Sequence, residues 1–451
     1  MKQRYFGTDG IRDAVDGPLL AEPFVRRVGA AVGALLTGRH GDKPLHVVIG
    51  RDTRESGARI ALWLTAGLTA RGIHVFDAGV VPTAAVALSV RDLEVDMGIV
   101  VTASHNPATD NGIKLFGRGG YKLTEEEELV IERLIDETPE PPPETGSPAV
   151  YAYDARRHFK HFARSLLHEN SLVGMTIVVD CGHGATSATS AEVLEELGAG
   201  VVRLGCAPDG LNINSGCGSE HPEGLAAAVR EHGAVVGFAH DGDGDRVVVV
   251  DETGEVVDGD QILGLIALQW QRAGKLDGNT VVATVMSNQG LEAALGRQGI
   301  RFDRVPVGDR NVLHRMIEIG AVFGGESSGH IICRRHLPAG DGLVAAIEVL
   351  AVMLAARAPL SALRGEVPLF PQRLVNLPVW DKPPLDDLPG LQEELTAIAT
   401  ELGNRGRTLV RYSGTEPKVR LLAEAETPAL VDSVLERLHA AAARHLPMRD
   451  T

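Results

Sequence analysis

The densest chemistry in this sequence is DGDGDR, residues 241–246, where Asp241, Asp243 and Asp245 alternate with glycine. Three carboxylates this close repel one another unless a cation neutralises them, and glycine lets the backbone fold tightly around a hard ion. A solvated acidic turn is the bland alternative. An EF-hand is the obvious competitor, because Glu252 falls at the twelfth position from Asp241. It fails on context: Arg246 stands where the sixth-position glycine is required, and both flanks, VVGFAH and VVVVDE, read as strands.

Three further loops carry reactive types. Ser104 lies in TASHNP, 102–107, directly after the strand-like MGIVV. That places it beyond a strand's carboxyl end, where open α/β sheets expose their ligands. Such a serine can act as nucleophile or carry a phosphoryl group; a plain Ser/Asn turn has the same letters. GGESSGH, 324–330, offers Glu326, Ser328 and His330 on a glycine-flexible loop suited to sugar hydroxyls, with His330 able to exchange a proton near neutral pH. In RYSGTEPKVR, 411–420, Arg411 and Arg420 bracket Ser413, Gly414 and Thr415. Hydroxyls, backbone N–H groups and arginine forks make a phosphate nest, and a hairpin with two solvated arginines is the alternative. GxxxxGK[ST], HExxH and a complete GxGxxG are absent from the sequence, which weakens kinase, zinc hydrolase and nicotinamide readings.

These loops need a scaffold. Three segments share one pattern of apolar strand, loop, helix, glycine and strand: LHVVIGRDTRESGARIALWLTAGLTARGIHVF, MTIVVDCGHGATSATSAEVLEELGAGVVRLG and NTVVATVMSNQGLEAALGRQGIRFDRVPVG. Strands alternating with helices imply βαβ units on largely parallel, buried sheets. The first segment predicts Ser56 as a helix N-cap, and LTEEEELVIERLID predicts a helix opened by a Thr124–Glu127 capping box. TPEPPPETGSP at 138–148 reads as a linker or exposed loop. The expected domains are 1–150, 151–255, 256–368 and 369–451, the last a small α+β module.

The 451 residues are too many for one core. Acidic residues outnumber basic ones 60 to 44, a formal charge of −16, which argues against nucleic acid or an anionic membrane as partner. The start MKQRYFGTDGIRD has no apolar h-region, and the apolar run at 350–356 is too short to span a bilayer. Cys181, Cys206, Cys217 and Cys333 are scattered without a CxxC pair, so a reducing cytoplasm is the expected location.

Taken in order, the four loops resemble those of the α-D-phosphohexomutase superfamily, end to end. FGTDGIR, NINSGCGSEHPEGL, DGDQIL, VGDRNV and LGNRGR resemble its bacterial phosphoglucosamine mutase branch, although Asp13 replaces a glycine and Asn311 a tyrosine usual there. The resemblance implies three related mixed α/β domains and a smaller C-terminal α+β domain around a central active-site cleft. It implies an isomerase that interconverts glucosamine 6-phosphate and glucosamine 1-phosphate through a phosphoserine and a sugar 1,6-bisphosphate, for UDP-N-acetylglucosamine and cell-wall precursors. By the same resemblance Ser104 is the phosphorylated serine, and Asp241, Asp243 and Asp245 bind one Mg²⁺ with its phosphate. Glu326 and Ser328 contact the sugar, and Arg411, Ser413, Gly414, Thr415 and Arg420 hold the second phosphate. Arg12 and Lys114 line the site, and His330 matches a candidate base. The implied partner is a small sugar phosphate, with a homodimer left open. Glucose or mannose phosphate as substrate, a Mg²⁺-dependent phosphatase and a non-catalytic sugar-phosphate sensor are the alternatives.

Overall fold

A computed structural model describes residues 3–7, 9–40, 43–138, 149–413 and 416–449 of the chain. The three repeated segments fold as the pattern predicts. His46–Arg51 pairs in parallel with His74–Val80, Thr176–Asp180 with Gly200–Leu204, and Thr280–Thr284 with Arg301–Val305. The first strand of each pair is covered on both faces, which is what a near-continuous apolar run requires, while the second is partly exposed.

Each parallel core then gains an antiparallel pair. Met97–Val101 joins the first core in parallel and pairs antiparallel with Asp110–Phe116. Val236–His240 does the same in the second, with Val247–Asp251 as its antiparallel partner. Phe323–Gly325 does so in the third, with Ile331–Cys333. TASHNP, DGDGDR and ESSGH are therefore the connections at equivalent places in three related sheets. The first sheet is extended to seven strands by Phe6–Gly7, Gly10–Ala14 and Val150–Ala152, and the second to five by Val256–Val257.

The chain divides into two compact units, Met1–Met286 with Ile300–Gly365, and Ser287–Gly299 with Glu366–Thr451. The second contains an antiparallel sheet of Gln372–Pro378, Lys418–Ala425 and Gly406–Tyr412, covered by the helices Pro389–Leu402 and Pro428–His445 around Val379, Ile398, Leu421 and Leu438. The helix Gln289–Arg297 belongs to this unit, although its flanking strands belong to the first.

The Thr124–Glu127 capping box forms, opening the helix Glu125–Glu137. Ser56 precedes the helix Gly57–Thr69 but caps nothing: its backbone is already helical, and its hydroxyl accepts from Asn111 Nδ2 at 2.8 Å. Among the described residues no single helix is long and apolar enough to cross a membrane. The most apolar one, Gly342–Ala356, is a core helix whose Val344 N–H donates to Asp341 Oδ1 at 2.6 Å.

Burial pushes the Asp341 carboxyl up to about 7. A group raised above its unfolded value contributes stability in full below the unfolded pKa and loses it as pH rises through the folded one. Asp341→Asn keeps the cap acceptor and cannot ionise. Its melting temperature is expected to match wild type only below the ordinary carboxylate pKa of 3.8, and to exceed it increasingly as pH rises to 8; thermal melts across that range check this.

Candidate active site

Ser104 sits in a left-handed backbone conformation, φ 53°, which L-residues other than glycine adopt only under external constraint. The constraint is Arg54. Its buried guanidinium donates to the carbonyls of Ser104 (3.0 Å), Asn106 (2.7 Å), Asp110 (2.9 Å) and Pro107, while Nε donates to Asp52 at 2.9 Å. Asp52 also accepts from Thr102 Oγ1 at 2.6 Å, and that hydroxyl accepts from the Ser104 N–H at 2.9 Å. Arg54→Lys cannot span four carbonyls. It is expected to lower turnover by about 100-fold through misplacement of Ser104, and to cost about 1–3 kcal/mol in unpaired acceptors. Steady-state kinetics and denaturant melts check both.

So held, Ser104 Oγ donates to Asp241 Oδ2 at 2.6 Å across 137 residues of sequence. Close approach of the two loops requires a residue without a side chain at 242, because a Cβ there would lie 2.7 Å from the Ser104 carbonyl. Asp241, Asp243 and Asp245 are all buried, and one oxygen from each lies within 4.8 Å of the others. Asp243 Oδ1 and Asp245 Oδ1 accept no hydrogen bond. Three buried carboxylates, two of them with a free oxygen, converging beside a serine form a hard oxygen donor set, and this fits a divalent cation.

Lys114 already supplies one positive charge here. Projecting from Asp110–Phe116, its Nζ lies 2.8 Å from Asp243, and 2.9 Å from both Asp245 and Asp9. Thr83 Oγ1 also donates to Asp243, at 2.6 Å. Burial pushes Asp241 well above the usual carboxylate range, with Asp245 and Asp243 adding repulsion. Burial acts on Asp245 too, but Lys114 and His330 overcome it and hold that carboxyl well below the range. Lys114 stays charged because Asp243, Asp245 and Asp9 outweigh its desolvation.

The charges continue into a cleft of about 570 Å³ whose wall includes Asp9, Arg12, Asp245, Arg246, Glu326 and His330. Arg12 Nη2 meets Asp9 at 2.8 Å, and Lys122 Nζ bridges Asp9 and Asp309. His330 lies between Asp309 (3.3 Å) and Asp245 (3.6 Å). Burial disfavours its charge, yet these two carboxylates win and raise it to about 9. The Gly308 N–H donates to Glu326 Oε1 at 3.0 Å.

Nine of the residues singled out in the sequence thus belong to the first unit, and eight of them converge. Ser328 does not: it is exposed and faces a separate cleft of about 280 Å³ with Ser219, Val256 and Gly259. Arg411, Ser413 and Arg420 belong to the second unit, and Gly414 and Thr415 lie outside the described residues. Arg411 and Arg420 are directly opposite on antiparallel strands, a like-charge pairing that is unfavourable without an anion. Arg420 Nη2 donates to Ser413 Oγ at 3.4 Å, and its Nε is buried without a partner. Asp9, Lys122, Asp309 and Arg54 are the additions. Asp9 and Asp309 lie inside FGTDGIR and VGDRNV, where an acid next to glycine in a short motif was the available signal.

The chain matches four phosphoglucomutase/phosphomannomutase domains in order: alpha/beta/alpha domain I over residues 3–142, domain II over 156–254, domain III over 258–370 and the C-terminal domain over 374–441. Over 451 residues it is 44 % identical to the phosphoglucosamine mutase of Nitratidesulfovibrio vulgaris (strain DP4), covering 99 % of this chain and 100 % of that one. The chain belongs to the phosphoglucosamine mutases. Membership of this family makes it a phosphohexose mutase, an isomerase. The phosphoglucosamine mutase fold extends to more distant proteins. A phosphoglucomutase/phosphomannomutase family protein from Burkholderia thailandensis is similar at TM-score 0.81 and 26 % identity, over 98 % of this chain and 99 % of that one. The Aspergillus fumigatus N-acetylphosphoglucosamine mutase, solved with GlcNAc-6P and magnesium, is similar at TM-score 0.65 and 18 % identity, over 98 % and 96 %.

Proposed function

We propose that the chain interconverts glucosamine 6-phosphate and glucosamine 1-phosphate in the cytoplasm, with Ser104 carrying the phosphoryl group, in the supply of amino-sugar nucleotides for cell-wall precursors. One observation carries the reading: a serine held in a strained turn donates to the first carboxylate of a buried acidic triad. Asp241, Asp243 and Asp245, together with an oxygen of the Ser104 phosphate, would hold one Mg²⁺. Bound there, the ion supplies positive charge against the carboxylates and against the charge that develops on the phosphoryl oxygens.

The chain's own groups do the rest. Arg54 keeps the Ser104 oxygen pointed at the triad. Phosphoserine donates its phosphoryl group to O6 or O1 of the sugar, giving a 1,6-bisphosphate and a free Ser104 hydroxyl. Lys114 and Arg12 supply fixed positive charge, and His330 in the cleft wall, which Asp309 and Asp245 hold protonated, takes the proton of the attacking hydroxyl only after giving up its own. Glu326 offers acceptors to sugar hydroxyls. The bisphosphate turns end over end and returns its other phosphoryl group to Ser104, so catalytic amounts of bisphosphate keep the enzyme charged. Arg411, Ser413 and Arg420 suit the phosphate that is not reacting, whose charge resolves the opposed arginines.

The test offers purified protein equal glucosamine, glucose and mannose 6-phosphates with Mg²⁺ and a trace of sugar bisphosphate, followed by phosphorus NMR. Glucosamine 1-phosphate is expected first. Glucose or mannose 1-phosphate in front would overturn the substrate, and inorganic phosphate alone would overturn the mutase reading.

A further inference from the structure

Cys181 follows the strand Thr176–Asp180 directly, and Cys206 follows Gly200–Leu204 by two residues. Asp180 pairs with Leu204 in parallel register, so Cys206 lies one step diagonally beyond Cys181. With strands about 4.8 Å apart and a rise of about 3.3 Å per residue, the Cα separation is about 6 Å, within disulfide reach. In a flat strand the two side chains would point to opposite faces. Gly205 breaks that alternation with its φ of +58°, and the thiols of Cys181 and Cys206 come close enough to shift each other's ionisation. The Cys181 N–H (3.0 Å) and the Cys206 thiol (3.1 Å) both donate to the Leu204 carbonyl, which fixes the pair on one atom. Cys181 is buried and Cys206 partly buried, so a small oxidant reaches one sulfur of the two more readily.

The same turn touches the catalytic machinery. The Gly182 carbonyl accepts from the Asn214 N–H at 2.8 Å, and Asn214 Nδ2 donates to the carbonyls of Ser104 (2.9 Å) and Asn106 (3.0 Å). The His183 carbonyl accepts from Thr53 Oγ1 at 2.6 Å, and the Ala185 N–H donates to the Gly242 carbonyl at 2.8 Å. Residues 182–185 therefore brace both the Ser104 loop and the acidic loop.

We propose that Cys181 and Cys206 form a redox-sensitive pair, which a peroxide closes to a disulfide that shifts the Gly182–Asn214 brace and slows phosphoryl transfer. The effect on turnover rests on the reading of Ser104 given above; the disulfide does not. The Cys206 thiolate attacks one peroxide oxygen, the O–O bond breaks, hydroxide leaves and a sulfenic acid forms. Cys181 then attacks that sulfur, the S–S bond forms, the S–O bond breaks and water leaves. Two thiols lose two electrons, and one peroxide becomes two waters. The division of labour follows the surroundings: the neighbouring Cys181 thiol, helped by Arg203, lowers Cys206, while Cys206 and burial hold Cys181 well above the usual thiol range.

The full-length protein is treated with hydrogen peroxide, then digested without reductant for peptide mass spectrometry, with mutase turnover measured before, after and following dithiothreitol. A Cys181–Cys206 linked peptide is expected, with turnover falling about tenfold or more and returning on reduction. Cys206→Ser is expected to keep its turnover through the same treatment. Linkage through Cys217, oxidation without linkage, or linkage with unchanged turnover would each overturn the proposal. Untreated protein without turnover would overturn the proposed function instead, and the peptide map would still decide the disulfide.

Discussion

Ser104→Ala is expected to lower mutase turnover on the order of 10⁴-fold or more, while the protein stays folded. No neighbouring group can replace the hydroxyl as carrier. Asp241 Oδ2, its acceptor at 2.6 Å, belongs to the acidic triad, and the turn that presents it is built by Arg54 and Asp52, not by the serine side chain. The variant keeps all of those backbone contacts. It loses one hydrogen bond to a buried carboxylate, worth about 1–3 kcal/mol, so a small fall in melting temperature is expected without loss of cooperativity. Intact-protein mass spectrometry after incubation with sugar bisphosphate should show a phosphoryl adduct on wild type and none on the variant. Near-normal turnover in Ser104→Ala would sink the carrier role outright.

The second large effect concerns Lys114, which is 2 % exposed and faces Asp9, Asp243 and Asp245 at once. Lys114→Met removes the ammonium that meets Asp243 and Asp245, and leaves Asp9 with Lys122 and Arg12. Breaking a buried pair in this way costs about 3–5 kcal/mol, and the loss should be largest in EDTA. Mg²⁺ should then stabilise the variant more than wild type, because the carboxylates no longer share their charge with an ammonium; saturation at about 100 times Kd adds about 2.7 kcal/mol. Turnover should not return with stability. A fixed charge beside the transferring group is missing, and the expected deficit is about 100-fold even at saturating Mg²⁺. In wild type, EDTA should stop turnover and Mg²⁺ restore it. A variant that melts like wild type in EDTA would mean that Lys114 does not neutralise the triad.

The four loops were legible because their chemistry is written in residue types at short spacing: alternating Asp and Gly, a serine after an apolar run, arginines around Ser-Gly-Thr. The βαβ repeats were legible because strands buried on both faces leave continuous apolar runs. Of the three antiparallel partners VVVVD was legible as a strand, but DNGIKLF and IIC are too mixed or too short to show a period, and so the strand placing Lys114 went unread. Asp9, Lys122 and Asp309 escaped for a different reason. They come from separate stretches of chain, and only the fold reveals that they are buried against one another. Ser56 shows the converse error, a residue of the right type at the right position whose hydroxyl a tertiary partner had claimed.

The bond between Ser104 and Asp241 spans 137 residues, and that separation sets a clock during synthesis. At about 5–20 residues per second, the ribosome takes roughly 7–30 s to deliver the aspartate after the serine has appeared. Arg54 and Asp52 precede Ser104, so the strained turn can be shaped early. Its acceptor, its cation ligands and the brace from Asn214 all arrive later, and His330 later still. A nascent chain therefore exposes the serine before its acceptor and cation ligands exist, and the ability to take up a phosphoryl group is gained only in the second half of translation.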